Sequence, residues 1–168
     1  MHPLSPISIS ASSCLDDDEE VHGAHTLMNA ASTVAGADEE GSCWRSRGGE
    51  DSAYITLYFP SLVHVVAVEI SFAVGFAARS VCVSGHCNDI DTANLNGGDD
   101  VEGWNIIKMI DDIDIDAHGT QRFTFISSNS TNNSVSNDGV VALRFYFTNP
   151  TDLFGRLIVY RIAALGGQ

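Results

Sequence analysis

Four aspartates cluster between positions 111 and 116, where their side chains could perform chemistry. They are Asp111, Asp112, Asp114 and Asp116. Paired carboxylates can bind a cation or carry out general acid–base chemistry. The same residues alternate with Ile113 and Ile115, which is the pattern of a solvated strand face or edge. We favour the strand interpretation and keep a metal-dependent enzyme as the alternative.

Cys82, His86 and Cys87 form a second group, of the residue types that bind zinc. Three such ligands fall short of a closed four-ligand site, and the chain has no Cys-x-x-Cys spacing. We therefore interpret them as ordinary thiols near a strand end. The other histidines are scattered and form no recognisable catalytic arrangement with a nucleophile, and no glycine-rich loop follows a strand and opens a helix. The sequence predicts a protein without catalysis and without a cofactor.

The charge balance narrows the classes of partner. Acidic residues outnumber basic ones by 22 to 8, which gives a net charge of −14 over 168 residues. Such a surface repels phosphate backbones and anionic lipids, so we expect neither direct nucleic-acid binding nor membrane binding. The N-terminal residues lack the pattern of a secretory signal. We therefore expect a cytoplasmic or nuclear protein whose four cysteines are reduced.

The sequence predicts that the secondary-structure elements that position these residues are strands. Apolar residues alternate with polar ones in several short segments separated by turn signals, and segments of useful length with a helical period are absent. The predicted strands cover residues 7–12, 54–59, 65–74, 79–84, 106–110, 122–126, 141–147 and 157–165. Proline cannot continue a hydrogen-bond ladder, so Pro60-Ser61 is predicted to end the second of them. The acidic run Asp16–Glu20 is predicted to be a solvated loop.

The arrangement of the strands predicts an all-β fold, a jelly-roll β-sandwich made of one domain over residues 1–168. Residues 88–138 are richer in Asn, Asp, Gly and Ser than the rest of the chain. We interpret this region as strands that carry enlarged polar loops rather than as a second domain.

Two stretches resemble discoidin-like (factor V/VIII type C, galactose-binding-like) domains. Cys43-Trp44-Arg45-Ser46 precedes the strand that begins near Ala53, as a similar Trp-x-Ser element does in those domains. The stretch Thr148–Tyr160 is similar to their closing strand and its approach. The resemblance implies the same β-sandwich, with Trp44 favoured as a plug between the sheets over a ligand anchor.

One branch of that group, the nuclear receptor subfamily 2 group C member 2 associated proteins, is more similar still. Three stretches carry this resemblance: 43–46, 57–79 and 151–156. The resemblance covers about residues 5–87 and 139–168. It implies a stand-alone intracellular protein that regulates transcription by associating with a partner protein.

Discoidin-like domains often hold a structural calcium ion near a motif that here reads Asp38-Glu39-Glu40-Gly41-Ser42. The motif is one residue shorter in this chain, and the C-terminal carboxylate that would assist it is missing. Calcium requires six to eight oxygen ligands, of which only Asp38 and Ser42 can be named.

Four residues are the candidates for contact with a ligand or partner. They are Phe76, Arg79, Phe154 and Arg156. The aromatic residues stand beside glycines on predicted turns, where they would either contact a partner or close the end of the barrel. The arginines could hold a partner's carboxylate, or they could form structural ion pairs with a residue such as Asp152.

The sequence therefore predicts a non-enzymatic protein-binding module that uses the loops at one end of the sandwich or an exposed strand edge. The alternative is a lectin-like domain that binds a carbohydrate or another small ligand. A glycan array separates the two predictions.

Overall fold

The structure is a computed structural model that describes residues 1–30, 43–87, 103–125 and 139–167. These residues form ten strands and three short helices. The strands are β1 (His2–Pro3), β2 (Ser8–Ala11), β3 (Trp44–Arg45), β4 (Ser52–Val63), β5 (Val65–Phe72), β6 (Ala78–His86), β7 (Trp104–Ile110), β8 (Gln121–Thr124), β9 (Val140–Pro150) and β10 (Ile158–Gly166). The helices are a 3-10 helix (Leu15–Asp17), α1 (Glu19–His22) and α2 (Thr26–Ala30).

The strands form two antiparallel sheets, which confirms the predicted β-sandwich. Sheet A has the order β1-β10-β5-β8, and β3 is also paired with β10; sheet B has the order β2-β4-β9-β6-β7. In sheet B, Ile55 lies opposite Phe145 and Leu57 opposite Leu143, and all four are buried. The core lies between the two sheets because successive side chains of a strand point to opposite faces.

Trp44 is fully buried in this core. Its ring lies 6.0 Å from that of Phe147, which in turn makes an edge-on contact with Phe72 at 5.8 Å between centroids. The indole Nε1–H donates to the carbonyl of Ser13 at 2.8 Å, so the polar end of the ring is satisfied. Trp44 is thus the core plug that the sequence pattern predicts.

Glu69 on β5 is a buried acid held by two arginines. Its carboxylate accepts hydrogen bonds from Arg122 on β8, at 2.6 Å from Nη2, and from Arg161 on β10, at 3.1 Å from Nη2. Burial raises the pKa of Glu69, but the hydrogen bonds from the two guanidinium groups outweigh it, so the pKa lies below its usual 4.5. The three residues link three strands of sheet A.

We expect Glu69→Gln to destabilise the protein at neutral pH by about 1 to 2 kcal/mol, because Arg122 is half exposed and its interaction is screened. A carboxyl group whose pKa is lowered on folding stabilises the protein above its unfolded-state pKa, and that contribution disappears as pH falls through the folded-state value. The difference between wild type and variant should therefore shrink below about pH 4.5. Urea unfolding at pH 7 and pH 3.5 measures it, and an equal difference at both values contradicts the assignment.

One predicted strand end and one predicted strand face are wrong. β4 continues through Pro60 to Val63. Its register with β9 is interrupted between Tyr58 and Val63, so the N–H that Pro60 lacks breaks no ladder bond there. The aspartates from Asp111 to Asp116 are solvent-exposed as predicted, but they occupy the loop after β7 and not a strand. The side chain of Gln121 closes that loop by bonding to both the N–H and the carbonyl of Asp114.

The acidic run Asp16–Glu20 is also not a simple loop. It spans the end of the 3-10 helix and the start of α1, where the Asp18 carboxylate accepts a hydrogen bond from the Val21 N–H. A carboxylate at a helix N-terminus satisfies a free N–H and is attracted by the helix dipole. These local terms outweigh the repulsion between neighbouring acids that the prediction rests on.

No helix in the described ranges is long and apolar enough to cross a membrane.

Candidate partner-binding site

The candidate site lies at the end of the sandwich away from the paired chain ends. His2 pairs with Gly166 at one end, whereas β5 finishes and β10 starts at the other, where Phe72 lies opposite Val159. β6 begins at that same end, opposite Pro150 of β9. We call the three segments 46–51, 73–77 and 151–157 the loop end.

The turn at 151–157 is fixed by one carboxylate. Asp152 accepts hydrogen bonds from the backbone N–H groups of Phe154 and Arg156 and from the Arg156 guanidinium, whose Nε lies at 2.9 Å. The hydrogen bond from the Arg156 side chain holds the pKa of Asp152 below its usual value. Gly155 has a φ of +72°, which a side chain would strain. The turn is therefore rigid, and Asp152 stays ionised at neutral pH.

An exposed apolar tip projects from this turn. Leu153 is 98% exposed and Phe154 is 69% exposed; we call these two residues the apolar tip. Beside them the Arg156 guanidinium lies 5.2 Å from the ring centre of Phe154 and 5.3 Å from that of Phe76. Arginine and aromatic faces attract each other, so the three side chains form one layered cluster.

The segment 46–51 forms hydrogen bonds with the turn that carries the apolar tip. The Gly49 N–H donates to the Phe154 carbonyl at 2.7 Å, and the buried Ser46 hydroxyl accepts from the Leu157 N–H at 2.8 Å. Gly48 has a φ of +82°, and a β-carbon there would lie 2.6 Å from Arg156 Cγ. The backbone of the tip is thus positioned by residues about one hundred positions away in the sequence.

Ser46 was not among the residues that sequence reasoning singled out, although it ends the Cys-Trp-Arg-Ser motif. We expect Ser46→Ala to lower the free energy of unfolding by about 1 to 3 kcal/mol, because it leaves the Leu157 N–H buried without an acceptor. Urea unfolding measures the change. The matched control is Ser61→Ala, at an exposed position of β4, and equal effects at the two sites contradict this role.

Acidic side chains flank the loop end. The residues of the run from Asp16 to Glu20 are exposed, as are Glu50, Asp51 and the four aspartates after β7. Arg47 pairs with Asp17 and so joins the segment 46–51 to this acidic flank. Exposed acids thus outnumber the exposed arginines of the adjoining strands, Arg45 of β3 and Arg79 of β6.

No family model matches the chain. Individual relatives nevertheless show which family it belongs to. The nuclear receptor 2C2-associated protein of Homo sapiens is 30% identical over 129 residues, which cover 77% of this chain and 74% of the relative. The chain belongs to the nuclear receptor 2C2-associated protein family. The Xenopus tropicalis member is 27% identical over 164 residues, covering 97% of this chain and 96% of the relative.

Solved structures confirm the predicted fold of this family member. Chitosan-binding module 1 of a chitosanase/glucanase from Paenibacillus sp. IK-5 superposes with a TM-score of 0.66 at 18% identity and covers 99% of this chain and 100% of the module. An F5/8 type C domain from Bacteroides fragilis superposes with a TM-score of 0.64 at 12% identity, covering 96% and 91%. The discoidin-like, galactose-binding-like class is therefore correct.

The structure brings three of the four predicted contact residues of this family member together. Phe76, Phe154 and Arg156 form the layered cluster, in which Arg156 is ion-paired with Asp152 as the structural alternative predicts. Arg79 lies on β6 and is exposed; none of the ion pairs or ring contacts found in the described ranges includes it. Contact of these four residues with a partner remains a prediction.

The predicted metal-binding residues of this family member divide into two groups. Asp38 and Ser42 lie outside the described residues, so the calcium site stays a prediction. Cys82 and Cys87 are free thiols, His86 packs against the ring of Trp104, and no three potential ligands in the described ranges are grouped to hold a metal.

Elsewhere in the fold, burial raises the pKa of the Cys14 thiol to about 11, so that thiol is unreactive at neutral pH.

Proposed function

We propose that this chain is a non-enzymatic protein-binding module whose loop end contacts the partner. The observation that carries the proposal is the apolar tip: Leu153 and Phe154 are exposed on a backbone that Asp152 and Gly49 hold in place. A turn whose backbone is already held in place loses little backbone entropy when a partner buries its exposed apolar side chains. They are therefore suited to act as anchors at the centre of an interface.

Family membership supports a protein partner, because the relatives are named as proteins associated with nuclear receptor 2C2. We propose an intracellular role, in the cytoplasm or the nucleus, in which the chain regulates transcription through the protein it binds. The acidic flank of the loop end favours a partner that presents basic residues around an apolar pocket.

Catalysis finds no support at the residues that could perform it. Asp114, at the centre of the aspartate cluster, accepts a hydrogen bond from the Asp116 N–H through its own carboxylate. This bond is a local turn interaction of an exposed loop. An exposed, solvated carboxylate lacks the shielded environment that tunes a catalytic acid or base.

Carbohydrate binding is the second candidate, because the superposed chitosan-binding module has the same fold. A fold alone does not assign a ligand. A glycan array with the purified chain tests this candidate, and strong, competable binding to one sugar would replace the protein-binding proposal.

Affinity purification of the tagged chain from the cells of its source tests the proposal. Wild type is compared with the double variant Leu153→Ser, Phe154→Ser and with the control Leu62→Ser, an exposed residue at the opposite end of the sandwich. We expect a protein that copurifies with wild type and control and is lost with the double variant. Recovery of the bait alone, or equal recovery with all three, contradicts the proposal.

A further inference from the structure

A second group of side chains lies on the outer face of sheet B, away from the loop end. The register of β4 with β9 places Thr56 opposite Arg144 and Tyr54 opposite Tyr146, on the face that points away from the core. Trp104 is the first residue of β7, two strands from β9 on the other side. We call Tyr54, Thr56, Trp104 and Arg144 the Arg144 site.

Arg144 is held in this site by rings and a hydroxyl. Its Nε donates to Thr56 Oγ1 at 3.1 Å, and its Cζ lies 4.2 Å from the ring centre of Tyr54 and 4.4 Å from that of Trp104. The two rings reach the guanidinium from strands on opposite sides of β9. Such contacts fix the guanidinium in position but do not neutralise its charge.

Most of the other six arginines are neutralised by acids, and the two exceptions in the ion pairs of the described residues, Arg45 and Arg79, are exposed to solvent. Four of them, Arg47, Arg122, Arg156 and Arg161, form ion pairs with carboxylates. Arg144 is half-buried, and no carboxylate of the described ranges pairs with it, although the chain contains 22 acidic residues. A half-buried cation without a counter-ion is costly, and a bound anion would remove that cost.

Trp104 gives an independent indication of a missing acceptor. Its Nε1–H is buried and has no hydrogen-bond partner, the one such side-chain atom in the described part of the chain. Buried polar groups are nearly always satisfied, so an exception requires an explanation. Beside it, Arg144 still has terminal N–H groups that donate no hydrogen bond to the described residues. The Trp104 indole N–H and the terminal N–H groups of Arg144 thus both lack an acceptor among the described residues.

We propose that the Arg144 site binds a carboxylate group carried on an apolar body. A carboxylate is planar and matches the guanidinium fork, and its single charge is repelled less by a chain of net charge −14 than a phosphate dianion would be. Exposed apolar side chains surround the site on the same face, namely Ile106, Met109 and Tyr146. The group could be an acidic side chain or the C-terminus of a peptide. This proposal is independent of the one for the loop end.

Nitrogen-15 NMR of the full chain tests the proposal, because the chain has two tryptophans and hence two indole N–H signals. The Trp44 indole already donates to Ser13, so it serves as an internal control. The probe is N-acetyl-leucine, and N-acetyl-leucinamide is its matched neutral control. We expect the acid, and not the amide, to shift the Trp104 indole signal and to leave that of Trp44 in place. No shift with the acid, or equal shifts with both, overturns the proposal.

Two variants assign the effect to the site. Arg144→Gln should weaken binding of N-acetyl-leucine about tenfold or more, since it removes charge-assisted hydrogen bonds. Trp104→Phe keeps an aromatic ring but removes the N–H, and it should weaken binding by a smaller factor, measured from the backbone amide signals of β7 and β9 because the Trp104 indole signal is lost. An unchanged Trp44 signal shows that each variant is folded. Undiminished binding by folded Arg144→Gln contradicts the proposal.

Further probes identify the source of the carboxylate. Inorganic phosphate should shift the Trp104 signal less than acetate does at equal concentration, and a larger response to phosphate overturns the choice of a carboxylate. A short apolar peptide with a free C-terminus is then compared with an amidated peptide that carries one internal Asp. Preference for the first indicates a chain terminus and preference for the second a side chain, while binding of neither at millimolar concentration contradicts the proposal.

Discussion

Trp44→Ala should lower the free energy of unfolding by about 3 to 5 kcal/mol, the range for truncating a large buried aromatic residue. Trp44 is fully buried between the sheets and packs against Phe147. It lies on a strand of only two residues, which pairs with Ile158 and Val159 at the start of β10. Because so short a strand has few ladder bonds, we attribute its attachment mainly to the indole ring.

Urea unfolding followed by far-ultraviolet circular dichroism measures this loss. Trp44→Phe is the matched control, since it keeps an aromatic ring but loses the hydrogen bond to the Ser13 carbonyl. We expect it to cost clearly less than the alanine variant. A Trp44→Ala protein within about 1 kcal/mol of wild type would mean that the core does not depend on this residue.

The double variant Leu153→Ser, Phe154→Ser should weaken the affinity for a recovered protein partner by about thirtyfold or more, which corresponds to the loss of a hot spot of about 2 kcal/mol. Its melting temperature should stay close to that of wild type, because both side chains are exposed in the free chain. Isothermal titration calorimetry and a thermal melt measure the two quantities on the same samples.

The control for this prediction is Leu62→Ser, which removes an exposed apolar side chain from the opposite end of the sandwich. It should leave the affinity unchanged. Equal affinities for wild type and the double variant would exclude the apolar tip from the interface. A large fall in melting temperature would instead show that the tip supports the fold.

Strand positions could be predicted from the sequence because burial on one face imposes a period of two. Ile55 and Leu57 point into the core, while Tyr54 and Thr56, which alternate with them, point outward, and the alternation of β9 is equally clear. The predicted strand end at Pro60 is wrong because the effect of a missing N–H depends on the partner strand. Where the register is interrupted, a proline is tolerated.

The candidate site could be predicted only in part. Phe154 and Arg156 lie close in the sequence, so a turn that brings them together is a local feature. Phe76 joins them because β5 and β10 are paired, a register that the spacing of these residues does not reveal. The support from Ser46 and Gly49, and the position of Arg144 between two rings, depend on registers between strands distant in the sequence. Composition and spacing contain no signal for such registers.

Hydrogen–deuterium exchange of the chain, free and bound to its protein partner, tests the central claim most directly. If the loop end is the interface, amide exchange should slow in segments 46–51 and 151–157 on binding. The turn between β4 and β5, around His64 at the opposite end, should be unaffected. Slower exchange confined to that turn, or to the edge strand β7, would contradict the assignment of the binding surface.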